Sequence, residues 1–226
     1  MAPLRAPRTL LVLLPLLFPS FLLAYHLELE ARPGAVFPYL ARFGTVDLHV
    51  YAGGVRVDTV WLDGFSRNGD TTITVLNPLG RMYTEVPITR ISSIIGTLGT
   101  LGPVEREAAA ALASAAPGRI RGVPATRYRL VYGESYIDYW TTTAIPENRQ
   151  LRRIITELVE AISPGTAAVS KTIPGTPVYV ELNFRRFQKV ALVRLKKLSR
   201  TVDDEEKALA VGSFYIKAPL LDALLR

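Results

Sequence analysis

What most restricts the fold of this chain is a period of two that keeps returning along it. Tyr25 to Glu30 (YHLELE) alternates, and Thr45 to Tyr51 (TVDLHVY) sets Val46, Leu48 and Val50 on one face. Val55 to Asp63 (VRVDTVWLD) does the same with Val55, Val57, Thr59 and Trp61. Successive side chains of a strand point to opposite faces, so these segments read as half-buried strands. Ala52-Gly53-Gly54 is a short hairpin turn between two of them, and Ser66 to Asp70 (SRNGD) is another. Thr71 to Leu76 and Arg81 to Val86 follow, joined by Asn77 to Gly80. No crossover helix separates these strands, which predicts an antiparallel meander and argues against a parallel α/β sheet with a dinucleotide site.

The middle changes character. Ile88 to Leu101 and the alanine-rich Val104 to Ala116 (VEREAAAALASAA) read as a helical insertion over about 88–116. Gly96, Gly99 and Gly102 fall three apart, not in the spacing of a phosphate-cradling loop, and the bland reading is a flexible connection between helices. A segment this apolar and glycine-loosened could also form a movable cover over a cavity.

Strands then resume at Arg119 to Gly122, Ala125 to Tyr132 and Ser135 to Thr143, the last two joined at Gly133-Glu134. A helix over about 146–162 begins at Pro146, which suits a first helical position. Its Leu151, Ile154, Ile155, Leu158, Val159 and Ile162 form one apolar stripe to lay on a sheet. Arg149, Arg152, Arg153, Glu157 and Glu160 make the solvated face. Pro177 to Phe184, Lys189 to Leu198 and Ser213 to Ala218 are further strands, with a short acidic stretch at Asp203 to Ala210. The count is nine or ten strands and two or three helices.

Residues 1–24 read as a signal peptide or signal anchor: a basic start up to Arg8, then an apolar run ending at Ala24. That run is short for a membrane span and carries Pro15 and Pro19. The expected location is therefore extracytoplasmic: periplasmic, secreted, or held at the membrane by the leader if it is not cleaved. The remaining 25–226 fit one domain, since roughly 100–200 residues make a domain. The chain has no cysteine, so disulfides, thiolate chemistry and an acylated N-terminal cysteine are excluded.

Charge and motifs exclude more. There are 27 Lys and Arg against 20 Asp and Glu. Arg5 and Arg8 lie in the leader, and the excess left is too small and scattered to predict nucleic-acid binding. The two histidines, His26 and His49, are too few for a multi-histidine metal site, and His49 reads as a surface residue on the face opposite Val46, Leu48 and Val50. Asp203 to Glu206 lack the alternation of a calcium loop and read as a solvated loop. Ser213 lies in no nucleophile elbow, and although Asp138 with Glu134, or Asp58 with Asp63, can be posed as acid and base, nothing in the sequence brings a pair to glycosidase separation. The expectation is no enzyme, no cofactor and no metal.

The order of motifs is more specific than any one of them. GDTTITVLNPLGRMYTEVP (Gly69 to Pro87), a helical insertion, RIRGVPATRYRLVY (Arg119 to Tyr132), SYIDYWTTTAIPENRQL (Ser135 to Leu151), IPGTPVYVEL (Ile173 to Leu182) and FYIKAP (Phe214 to Pro219) follow one another. The series resembles secreted domains of unknown function in the LolA/LolB/LppX-like (lipoprotein localisation factor-like) group, over most of residues 45 to 219. The resemblance implies a mostly β (α+β) fold: a strongly curved antiparallel sheet, an unclosed half-barrel, with two to three helices covering its concave face. Several relatives hold lipid or acyl chains there; others sense envelope stress or have no known ligand. The arginine that switches the lid in the lipoprotein carriers is not placed by these motifs.

Large side chains on the strands that would line such a groove are Trp61, Met82, Tyr136, Trp140 and Phe184; alternatively all of them are core. The leading expectation is a monomeric, non-enzymatic binding module for a lipid or other apolar ligand, a carrier or sensor in the cell envelope. The alternative is a structural or regulatory domain with a packed core that meets an envelope protein partner. A hydrolase with a cryptic site is the third.

Overall fold

The computed structural model describes residues 24–31, 44–60, 62–90, 93, 111–132, 134–184 and 187–218. The leader up to residue 23, most of the segment 91–110, Trp61 and residues 219–226 lie outside the described residues.

The alternating segment after the leader is strand β1 (Tyr25–Ala31), and it lies in the interior of the sheet. On one side it begins a meander of β2 (Thr45–Val50), β3 (Gly54–Asp58), β4 (Asp63–Arg67), β5 (Thr72–Asn77) and β6 (Met82–Pro87). On the other it pairs with β11 (Phe187–Ser199), which continues a second meander through β10 (Thr176–Phe184), β9 (Ser135–Thr142), β8 (Val123–Tyr132) and β7 (Ala111–Ile120). A two-residue β12 (Ile216–Lys217) pairs parallel with β6 and makes the far edge. The chain is thus mostly β, one twelve-stranded, largely antiparallel sheet whose strand order ends at two edges, with few short helices: α1 (Arg149–Ile162), α2 (Pro164–Ser170) and α3 (Glu205–Ala208).

Three local readings are corrected. Ala111 to Ala116 lie in β7, not at the end of a helix. Alanine's helix preference amounts to less than about 1 kcal/mol per residue and yields to tertiary context; here a backbone ladder with β8 runs from Ala111 opposite Val131 to Ile120 opposite Val123. The hairpin turn is Arg121-Gly122, both at positive φ (51° and 82°), the pairing that suits strand twist. Val55 to Asp63 is two strands rather than one. The hydroxyl of Thr59 donates to the Leu62 carbonyl at 2.6 Å and accepts from the Leu62 amide at 3.0 Å, closing a turn that brings Asp58 opposite Asp63. The third correction is the start of α1, whose N-cap is Asn148 rather than a first turn at Pro146.

One core joins the halves. Tyr25, Leu27 and Leu29 of β1, Leu48 and Val50 of β2, Val55 of β3, Val178 of β10, Leu195 of β11 and Leu151 of α1 are buried together. Burying each such side chain contributes about 1.5–3 kcal/mol, so the β1–β11 junction is held by packing as well as by its ladder. A smaller cluster, Tyr51, Phe65, Leu76, Ala208 and Leu209, seats α3 and its flanks against β4 and β5.

Candidate functional site

The site is built by α1. Asn148 caps it by accepting the Leu151 amide at 3.0 Å and ties it to the residue after β2 by donating to the Tyr51 carbonyl at 3.1 Å. Gln150, 3% exposed, fixes the first turn to the β4–β5 hairpin: its amide nitrogen donates to Ser66 Oγ (2.7 Å) and the Asp70 carbonyl (2.9 Å), and its oxygen accepts from the Gly69 amide (3.3 Å). Arg152 donates to the carbonyls of Lys171 (2.7 Å) and Ile173 (3.1 Å) and pairs with Glu147. Three anchors on different elements thus set the height and rotation of one helix.

Beneath the helix the apolar stripe does not meet the sheet everywhere. A cavity of about 410 Å³ remains, roofed by Leu151, Ile154, Ile155, Leu158 and Val159 of α1. Its floor is Leu29, Val46, Leu48 and Val57 from one meander and Ile137, Tyr139, Val180, Leu182, Leu192 and Val193 from the other. No charged side chain is among its described walls.

The hydroxyls at the α2 end bond to one another. Thr166 Oγ1 donates to Ser163 Oγ at 2.8 Å and also bonds the Tyr132 hydroxyl, while Ser170 Oγ donates to the Ala167 carbonyl at 3.1 Å. The phenol of Tyr139, where the cavity meets a narrow crevice lined by Glu147 and Arg152, is pushed up to about 12 by burial.

Met82, Tyr136, Trp140 and Phe184, four of the side chains expected to line a groove, are not among the described walls of this cavity. The cavity is walled by Ile137 and Tyr139 of β9; Tyr136, one residue away, points to the other face, and Trp140 packs against the main core without lining the cavity. Arg129 lies 3.9 Å over the Tyr136 ring, and Arg127 lies 5.9 Å from the Trp140 centroid. Met82 is 39% exposed beside Ile216 at the β6–β12 edge. Phe184 ends β10 opposite Phe187, and Trp61 lies outside the described residues. The stripe of α1, which the sequence displayed, is the signal that finds the roof.

The face away from α1 holds the polar chemistry. His49 is on the expected face, but its side chain is only 14% exposed. Asp58 and Asp63 sit opposite each other with Arg56 between them, at 2.7 and 3.4 Å, and Asp138 is engaged by two Arg129 nitrogens at 2.7 and 2.6 Å rather than set beside Glu134. These carboxylates neutralise arginines in the structure. No group of three metal-ligating side chains occurs, and no helix is long and apolar enough to cross a membrane, among the described residues.

Fold and site define a largely antiparallel β protein carrying an apolar cavity beneath a short helix pair. No protein-family model matches the chain, and no curated protein does. Among solved structures, an uncharacterized conserved protein from Thermus thermophilus is similar over 93% of this chain and 99% of its own, at 9% identity and a TM-score of 0.46. A structure of PNGF-II is similar over 89% of this chain and 32% of its own, at 8% identity and a TM-score of 0.45. At these values the likenesses assign neither family nor activity.

Proposed function

We propose that this chain is a non-enzymatic extracytoplasmic module that holds a lipid or other apolar ligand between α1 and the sheet, as a carrier or sensor in the cell envelope. The observation that carries the reading is the cavity of about 410 Å³ with no charged described wall. Ligand sites of roughly 300–1,000 Å³ are typical for small molecules. Apolar walls that face water here gain by being covered, roughly 25 cal/mol for each Å² removed from water, and a hydrocarbon chain supplies that cover. The order of motifs resembles that of the lipoprotein localisation factor-like group, several of whose members hold lipid or acyl chains, and this supports the same reading. The sheet here is neither closed nor strongly curled, so the ligand would lie between α1 and an open sheet. The leader-like residues 1–24 support export.

The test is native mass spectrometry of the protein with palmitic acid and with phospholipid, beside Leu158→Trp, which fills the cavity from its roof. Stoichiometric uptake by the wild type, lost in the variant while its thermal midpoint is kept, is the expected result. No uptake by the wild type removes the reading.

A second reading, an envelope domain that meets a protein partner, is favoured by one observation: Leu79, Met82, Phe214 and Ile216 are exposed (78, 39, 61 and 73%) around the β6–β12 edge. It calls for a partner that protects these residues from surface labelling, with the cavity left dry.

A further inference from the structure

The polar groups around the cavity are nearly all committed. Ser163, Thr166 and Ser170 bond to each other, to Tyr132 or to a backbone carbonyl, and the Arg152 guanidinium is spent on Glu147 and two carbonyls. Tyr139 is the exception. It stands on β9 opposite Tyr128 and Val180, and its hydroxyl makes no hydrogen bond to any described residue. The same side chain helps to wall both the apolar cavity and the crevice that Glu147 and Arg152 line. A polar atom at the end of an apolar space, with no partner of its own, is where a ligand's polar group gains most.

Resting on the cavity reading above, we propose that the Tyr139 hydroxyl is the anchor of the site, donating a hydrogen bond to the carbonyl oxygen of an acyl ligand whose hydrocarbon chain fills the space under α1. The ligand class is then a single-chain acyl compound, a fatty acid or a fatty ester, rather than a pure hydrocarbon. Burial raises the phenol, as Glu147 also does, against the opposing pull of Arg152, so the hydroxyl keeps its proton and acts as donor across the physiological range. Glu147 paired with Arg152 gives the crevice one charge of each sign, so an ester carbonyl and a carboxylate alike enter it without facing an uncompensated negative charge.

The experiment compares wild type, Tyr139→Phe and Tyr128→Phe in calorimetric titrations with palmitic acid, methyl palmitate and hexadecane. Tyr139→Phe keeps the ring and removes one oxygen. It is expected to weaken an acyl probe by about 3- to 10-fold, the worth of one hydrogen bond, and to leave hexadecane unchanged. Tyr128→Phe is expected to leave all three unchanged. Weakening confined to the acid or to the ester names the source of the carbonyl. Equal affinities of wild type and Tyr139→Phe for every probe overturn the anchor and leave the cavity reading standing. Failure of the wild type to bind any of the three overturns the cavity reading itself.

Discussion

His26 and His49 stack on the face of the sheet away from α1, their ring centroids 4.4 Å apart and their planes 8° from parallel, and each Nε2 faces a different carboxylate, Asp47 at 2.8 Å and Asp58 at 3.5 Å. The two residues are direct cross-strand partners on β1 and β2. His49 Nδ1 is buried with no hydrogen-bond partner.

Acid should therefore weaken this fold through His49. Burial, then the charge of His26, lower its pKa below 6.5, against smaller opposing effects of Asp58, Asp203 and Asp47. The unfolded chain thus binds the proton more readily than the folded one, so stability is fully present above about pH 6.5, the unfolded value. It is lost as pH falls below that value toward the lower folded pKa. Urea midpoints between pH 7.5 and 5 should fall more steeply for wild type than for His49→Gln. Parallel curves would show that the histidine carries no such linkage.

Gln150 makes a different demand. Gln150→Leu leaves the Gly69 amide without its side-chain acceptor and removes the donor to Ser66 Oγ, while the Asp70 carbonyl keeps only Arg153 at 3.1 Å, where α1 meets the β4–β5 hairpin. The expected loss is about 1–3 kcal/mol, read as a lower urea midpoint at unchanged slope. A loss well under this range would mean that the hydrophobic stripe alone seats the helix.

Gly175 stands at φ 88°, and a Cβ added there would lie 2.6 Å from the Thr142 carbonyl oxygen. Gly175→Ala is expected to cost about 1–3 kcal/mol, visible as a lower thermal midpoint. The Pro-Gly turn before β10 is in this sense a steric requirement of the Thr142–Thr176 pairing that follows it.

Trp140 reports on where the ligand sits. In Trp61→Phe it is the sole tryptophan, and it packs against the main core without lining the cavity. Saturating palmitic acid should leave its emission maximum in place. A clear blue shift would put the ligand against Trp140 rather than under α1.

Much of the architecture was legible because period two and turn chemistry are local. β1, β2, β5, β6, β8, β9 and β10 fall within a residue or two of the alternating runs, and the α1 stripe found its sheet. What stayed hidden depends on pairing and side-chain contacts that neither propensity nor alternation displays. The Ala111–Ala116 edge is decided by β8, and the turn at Thr59 by a side chain closing on its own backbone. The cavity floor joins strands of both meanders. The histidine stack needed the β1–β2 register, which alternation alone leaves free to slip.

The strand order also says when this molecule can become whole. Each meander is made of neighbours that meet soon after synthesis, but their ladders join only along β1 and β11, from His26 opposite Ser199 to Ala31 opposite Val193. Closing so long a loop is entropically costly and slow, and gains nothing until both sides are shaped. A chain emerging from its N-terminus would hold one edge of β1 unmatched until β11 arrives, together with the floor that α1 is to cover. Those intervals are when the exposed strand invites aggregation, and when a holding chaperone would have the most to protect.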